Sequence, residues 1–135
     1  MKKLRTGNML IAQSGGPSMV INQSLVGAVL EAKKHKNIKT IFGARHGIQG
    51  ILDEDFIELQ GVKKAELEAV AATPSSALGT VRRKPTGADC HAIFEVLHKH
   101  DVRFFFYIGG NDSAETVHII NLEAVIAGYE LHCFH

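Results

Sequence analysis

"FFFYIGGNDS", residues 104–113, is the stretch on which the fold turns. Phe104 to Ile108 is an unbroken apolar run, the pattern of a strand buried on both faces of a parallel sheet rather than one with a wet side. Gly109 and Gly110 break it. Beyond Ala114, the apolar positions Val117, Ile120 and Ala124 recur at helical spacing until Gly128, a residue type that closes helices. The order is strand, glycine turn, helix.

The same order opens the chain. Asn8 to Gln13 is an apolar run, "SGGPS" interrupts it, and Ile21, Leu25 and Val29 then keep helical spacing, with Ala28 and Ala32 offset. Pro17 suits a first-turn position, Ser18 can cap the helix, and Lys33, Lys34 and Lys36 gather where they complement the end of its dipole. "IKTIFGAR", from Ile38, predicts a second strand. "HGIQGIL" predicts a tight connection or a single helical turn, and Asp53 to Asp55 an acidic loop. A short helix is expected within Glu66 to Ala72. A longer one is expected from Asp89 to about His100, marked by Cys90, Ile93, Phe94 and Leu97. "YELHCFH" begins another strand.

This alternation predicts an α/β fold for residues 1–135, a Rossmann-like parallel sheet with helices on both faces, joined by right-handed crossovers. Both glycine turns, "IAQSGGPS" and "FYIGGNDS", then fall at the carboxyl edge of the sheet. Ligands bind there at a change of strand order, so the two turns are expected to face one crevice.

Composition narrows the function. With 135 residues and 45% hydrophobic content, the chain can build one core of ordinary size. Lys+Arg 15 against Asp+Glu 14 leaves a net charge of +1, too little to attract nucleic acid or an acidic membrane by field alone. Any anion binding is therefore local. No apolar run approaches the ~18 residues of a membrane span, and the basic start leads into glycines, so a cytoplasmic protein is expected. Cys90 and Cys133 are too few and too far apart for a disulfide framework or a zinc knuckle and are expected to be core or helix-face residues. The histidines, His46 in "RHG" included, show no metal-ligand spacing.

A helix start offers unpaired N–H groups and a partial positive charge, and glycine lets phosphate approach the backbone. Gly15 and Gly16 are candidates for that contact, as are Gly109 and Gly110. Neither turn has the glycine and lysine spacing of a Walker loop or a dinucleotide fingerprint, and a single Gly-Gly is explained by a tight turn alone. The polar stretch "TPSSALGTVRRKPTG" is long for a loop in a compact domain. Its Arg82, Arg83 and Lys84 offer donors suited to phosphate oxygens, although a solvated basic loop also explains them. Asp112 can be a helix N-cap with Glu115 in a capping-box arrangement. It can also repel a phosphate within ~4 Å by about 1–4 kcal/mol, or hold Mg²⁺ with the help of Asn111.

Taken together, "SGGPSMVINQSLVGAV", "GARHGIQGIL", "TPSSALGTVRRK" and "FFFYIGGNDS" resemble, in order and interval, the N-terminal part of a phosphofructokinase of the pyrophosphate-dependent kind. The resemblance covers essentially the whole chain. It implies transfer of a phosphoryl group from pyrophosphate to the 1-hydroxyl of fructose 6-phosphate, Mg²⁺ as cofactor, a glycolytic role, and a homo-oligomer when complete. It makes Gly15, with Gly16, Gly110 and Ser113, the donor-phosphate residues, and Arg82 the arginine that reaches the transferring phosphate. Asn111 stands where ATP-using relatives have a metal-binding aspartate, and Asp112 where they have a glycine that admits the nucleotide's α-phosphate. An amide oxygen is the poorer magnesium ligand, so Asn111, Asp112 or an intervening water would make the contact.

The family's Lys-Thr-Ile-Asp-Asn-Asp run, whose aspartate serves as base, is expected directly after "YELHCFH" and is not among these residues. Nor are the sugar-phosphate arginines and the second domain. Residues 1–135 are thus expected to be the donor-binding part, with little or no turnover by themselves. Two other readings stand beside this one: a non-catalytic phosphate-binding or subunit-interaction module, and an ATP-dependent 6-phosphofructokinase, which Asp112 disfavours.

Overall fold

The computed structural model describes residues 6–13, 19–71, 78, 85–109 and 111–134. In chain order the elements are β1 (Gly7–Gln13), α1 (Met19–Ala32), β2 (Ile38–Ala44), α2 (Gly47–Leu52), β3 (Phe56–Glu58), α3 (Lys64–Ala71), α4 (Gly87–Lys99), β4 (Val102–Ile108), α5 (Asn111–Ala127) and β5 (His132–Phe134). The strands form one sheet in the order β3-β2-β1-β4-β5.

The central strand explains the layering. Met9, Leu10, Ile11 and Ala12 are all fully buried, which requires cover on both faces. Leu10 and Ala12 pack into one layer with Ile48 and Ile51 of α2, Ile93 and Leu97 of α4, and Val117 and Ile120 of α5. Met9 and Ile11 pack into the other with Leu25 and Val29 of α1 and Leu67 of α3. Helices on both faces are therefore as expected.

The sheet departs from the expectation at one edge. β1 pairs in parallel with β2 and β4, and β4 with β5, whereas β3 runs antiparallel to β2 with Ala44 opposite Phe56. A parallel return needs a crossover of about a dozen residues or more. Only residues 45–55 separate these strands, and the helix among them has six residues. The chain can only turn back. The acidic segment around Asp53 to Asp55 thus leads into a strand too short to show alternation in sequence.

Local signals account for the ends of two helices. Thr86 caps α4 with a full capping box: its hydroxyl accepts from the Asp89 amide at 3.1 Å, and Asp89 Oδ2 accepts from the Thr86 amide at 2.9 Å. Gly128 closes α5 at φ +68°. Its amide donates to the Val125 carbonyl, and the Tyr129 amide to that of Ala124, the paired bonds of a Schellman ending.

The glycine spacing of α2 has a steric origin. A Cβ on Gly50 would overlap the carbonyl oxygen of Arg45 and come within 2.7 Å of its carbonyl carbon. Both are backbone atoms, so no rotamer relieves the contact. Gly50→Ala is expected to cost about 3 kcal/mol or more, seen as a fall of about 10 °C in thermal unfolding followed by circular dichroism. Gly27→Ala, in α1 with nothing within 4 Å, is expected to stabilise by about 0.5–1 kcal/mol.

The amino edge of the sheet is braced by Asn8. Its Nδ2 donates to the His100 carbonyl at 2.7 Å and its Oδ1 accepts from the Thr40 amide at 3.1 Å, tying β1 to β2 and to the corner before β4. Cys90 is buried and Cys133 partly so, and both are free thiols. Burial pushes the Cys133 thiol up to about 12 and that of Cys90 upward as well, leaving neither as a nucleophilic thiolate. Leu122, Val125 and Ile126 form an exposed apolar stripe on the outside of α5. No helix among the described residues is long and apolar enough to cross a membrane.

Candidate functional site

The strand order creates a site at one place. From β1 the chain moves outward to β2 and β3, then returns to the other side of β1 with β4 and continues to β5. The change of direction lies between β1 and β4, and a crevice opens at the carboxyl ends of such a pair. Gln13 and Ile108, the last residues of the two strands, are register partners, so they lie about 4.8 Å apart. Each is followed directly by one of the glycine turns.

Two helices start from this edge. α1 packs on one face of the sheet and α5 on the other, so their N-terminal ends approach the crevice from opposite sides. Helices of 14 and 17 residues carry a partial positive charge at those ends. The strands that lead into the two glycine turns thus end side by side, whereas the turns themselves, Gly109 apart, lie outside the described residues.

Individual site residues are placed unevenly. Gly109 ends the β4 run, and Ser113 is buried in the first turn of α5. Asn111 and Asp112 are the first two residues of that helix. Asp112 is thus inside the first turn rather than at the N-cap, which corrects the capping-box alternative. A carboxylate there still complements the dipole. The side chains of Asn111 and Asp112, and all of Gly15, Gly16, Gly110 and Arg82, lie outside the described residues, as do Pro17 and Ser18.

Leu78, four positions before Arg82 in the chain, is described and is anchored. Leu78 is buried; its amide donates to Gln13 Oε1 at 2.8 Å, and its carbonyl accepts from the His46 amide at 2.9 Å. The ends of β1 and β2 hold both of its backbone groups. Its side chain closes over Gly43, where an added Cβ would lie 3.0 Å from Leu78 Cδ2. His46 and Gly47 at the end of β2 are both left-handed, with φ of +58° and +59°, a conformation that costs a non-glycine residue about 1 kcal/mol or more.

Neither Gln13 nor Leu78 was singled out in the sequence, although each carries a signal. A polar residue closing a fully buried strand must find a partner, and an isolated leucine in a polar loop must find a core.

Other features point away from phosphate chemistry. A groove of about 340 Å³ runs beside the C-terminal end of α1, lined by Ala28, His35, Ile38, Phe104, Phe106 and Phe134 among others. Its walls are largely apolar. Among the described residues, no three His, Cys, Asp or Glu side chains come together as a metal-binding group. A magnesium ion held through substrate phosphate needs only one or two carboxylates.

The model of the Phosphofructokinase family matches residues 8–129. Over 129 residues the chain is 53% identical to a pyrophosphate–fructose 6-phosphate 1-phosphotransferase of Rhodospirillum rubrum, covering 96% of this chain and 32% of that protein. Over 135 residues it is 42% identical to the protein of the same name from Xanthomonas campestris, covering 96% and 32%. The crystal structure of a pyrophosphate-dependent phosphofructokinase from Marinobacter aquaeolei superimposes with a TM-score of 0.87 at 35% identity, covering 94% of this chain and 32% of that one. The chain thus spans about a third of the length of the curated relatives it matches.

Proposed function

The chain belongs to the phosphofructokinase family, and on that premise we propose that residues 1–135 form the donor-binding part of a pyrophosphate-dependent 6-phosphofructokinase. In this reading the 1-hydroxyl oxygen of fructose 6-phosphate attacks one phosphorus of pyrophosphate, the bridging P–O bond breaks, and inorganic phosphate leaves. The hydroxyl proton passes to a base outside these residues. The products are fructose 1,6-bisphosphate and phosphate. The complete enzyme would act as a homo-oligomer at its glycolytic step in the cytoplasm.

One observation carries the reading: two glycine turns leave paired strands about 4.8 Å apart, at the point where strand order reverses. Phosphoryl transfer is mostly positioning and charge neutralisation, and two opposed helix starts supply both. Backbone N–H groups of Gly15, Gly16 and Gly110, with the Ser113 hydroxyl, bind the pyrophosphate oxygens. Arg82 neutralises the group in transfer. Asp112 shortens the pocket, so that pyrophosphate fits and a nucleotide's third phosphate position is refused.

Magnesium fits this donor set. Asn111 and Asp112 open α5, and in this reading their amide and carboxylate are of the hard oxygen type that suits the ion. When bound, it would neutralise charge on the phosphoryl oxygens.

The test is a chimera in which residues 1–135 replace the matching third of the Rhodospirillum rubrum relative, assayed in steady state with each donor. The expected result is a kcat/KM for pyrophosphate at least about 100-fold above that for ATP, with little turnover by the 135 residues alone. Preference for ATP would replace this reading with the ATP-using one. Pyrophosphate binding without turnover in the chimera would replace it with a non-catalytic module.

A further inference from the structure

We infer that the groove beside the C-terminal end of α1 is a docking surface for an amphipathic helix, supplied by the polypeptide that the longer relatives carry outside the third they share with this chain. The inference rests on family membership and on the groove itself, and goes beyond the donor-site reading. The floor of the groove is aromatic, made by Phe104 and Phe106 of β4 and Phe134 of β5. Phe106 and Phe134 are register partners, and their rings stack with centroids 4.4 Å apart. The wall is a stripe of α1, Ala28, Glu31 and Ala32, at the i, i+3, i+4 spacing that shares one helix face.

A parallel sheet needs cover on both faces, and the two faces of this one are covered unequally. On one, α5 packs over β4 and β5. On the other, α1 packs over β2, β1 and β4, with α3 beside it, and Phe104 is buried there. One strand further out on the same face, Phe134 is 44% exposed. Cover thus fades from β4 to β5 on the α1 side, and a helix laid beside α1 would complete it. Alanines in the wall let the axis of such a helix come close. Glu31 at the rim already pairs with Lys34 and His35, so apolar contact is what the groove has to offer.

The relatives supply the occupant. This chain matches 32% of the Rhodospirillum rubrum protein and of the Marinobacter aquaeolei structure, which leaves about two thirds of each to pack elsewhere. Polypeptide that packs on this unit needs apolar surface to bury, and the described residues offer two: this groove, and the stripe of Leu122, Val125 and Ile126 on α5. The groove is concave, between a helix and a sheet, and takes a ridge of side chains; the stripe is the convex outside of one helix. A second copy of this chain fits less well. The groove and the stripe lie on opposite faces of the sheet, so one copy's stripe in the next copy's groove is a head-to-tail contact that builds open chains rather than closed pairs.

The experiment times the reaction of Phe134→Cys with a maleimide, in the 135-residue chain and in the chimera with the Rhodospirillum rubrum relative, with Cys133→Ala in both and Cys90 left in the core. Labelling is expected to be at least about 50-fold slower in the chimera. Equal rates would overturn the inference. So would sedimentation showing that the 135-residue chain forms a closed dimer with the same protection, which would give the groove to a second copy. A second measurement does not depend on the chimera. The tagged 135-residue chain is co-expressed with the part of the Rhodospirillum rubrum relative outside the matched third, and the amount retained is measured. Phe134→Asp is expected to lower retention at least about tenfold, because a carboxylate finds no partner in an apolar groove, whereas Ile126→Asp leaves it within about twofold. Retention that Phe134→Asp does not change, or no retention at all, would overturn the inference. Pyrophosphate takes no part in either readout, so failure of the donor-site reading and failure of this inference are told apart.

Discussion

Asp112→Gly in the chimera is expected to lower kcat/KM for pyrophosphate by about 10–100-fold and to bring ATP into use at a comparable rate. A carboxylate within ~4 Å of a phosphate costs about 1–4 kcal/mol, and each 1.4 kcal/mol is about a tenfold change in affinity. Asp112 is the second residue of α5, where helix N–H groups would otherwise be open to an anion. In the proposed reading, removing the carboxylate would free that position for an additional phosphate and take away a ligand for magnesium pyrophosphate. Both changes move donor preference in one direction. The substitution also removes a favourable dipole contact and puts glycine into a helix, so a loss of about 1–2 kcal/mol in stability should accompany it. Asp112→Asn separates the causes, since it keeps the volume and discards the charge. A ratio of kcat/KM values for the two donors that stays constant in both variants would count against exclusion by Asp112.

Arg82→Ala is expected to reduce kcat with pyrophosphate by about 10²–10³-fold, the usual consequence of removing a donor aimed at developing charge. The KM for fructose 6-phosphate should change little. Arg82→Lys should recover only part of the loss, because an ammonium supplies charge without the planar fork that matches two phosphate oxygens. Single-turnover measurements distinguish chemistry from product release. A kcat within about fivefold of the parent for both variants would remove Arg82 from the transfer step.

The two sites of substitution illustrate how unequally the molecule could be read in advance. Motif order marks Arg82 and Asp112 as candidates, whereas nothing in the sequence marks Gln13 as the partner of the Leu78 amide. The capping-box alternative for Asp112 was equally open until the start of α5 at Asn111 placed the residue inside the helix. A helix boundary depends on which backbone groups find partners, and residue types alone leave it uncertain by one or two positions.

Local chemistry, legible residue by residue, determined most of the elements. The apolar run from Phe104 to Ile108 could only be a buried strand, Gly128 could close α5 because glycine tolerates φ +68°, and the two Gly-Gly turns marked where anions could approach. Tertiary structure decided what depends on distant partners. It set the antiparallel return of β3, forced by too short a connection, and the strand order that makes β1 and β4 neighbours. It also set the 65-residue contact between Gln13 and Leu78. A short side chain's preferences act on its own backbone and the next turn; which strand it will lie beside is set by packing the whole core, and that information is spread over the chain.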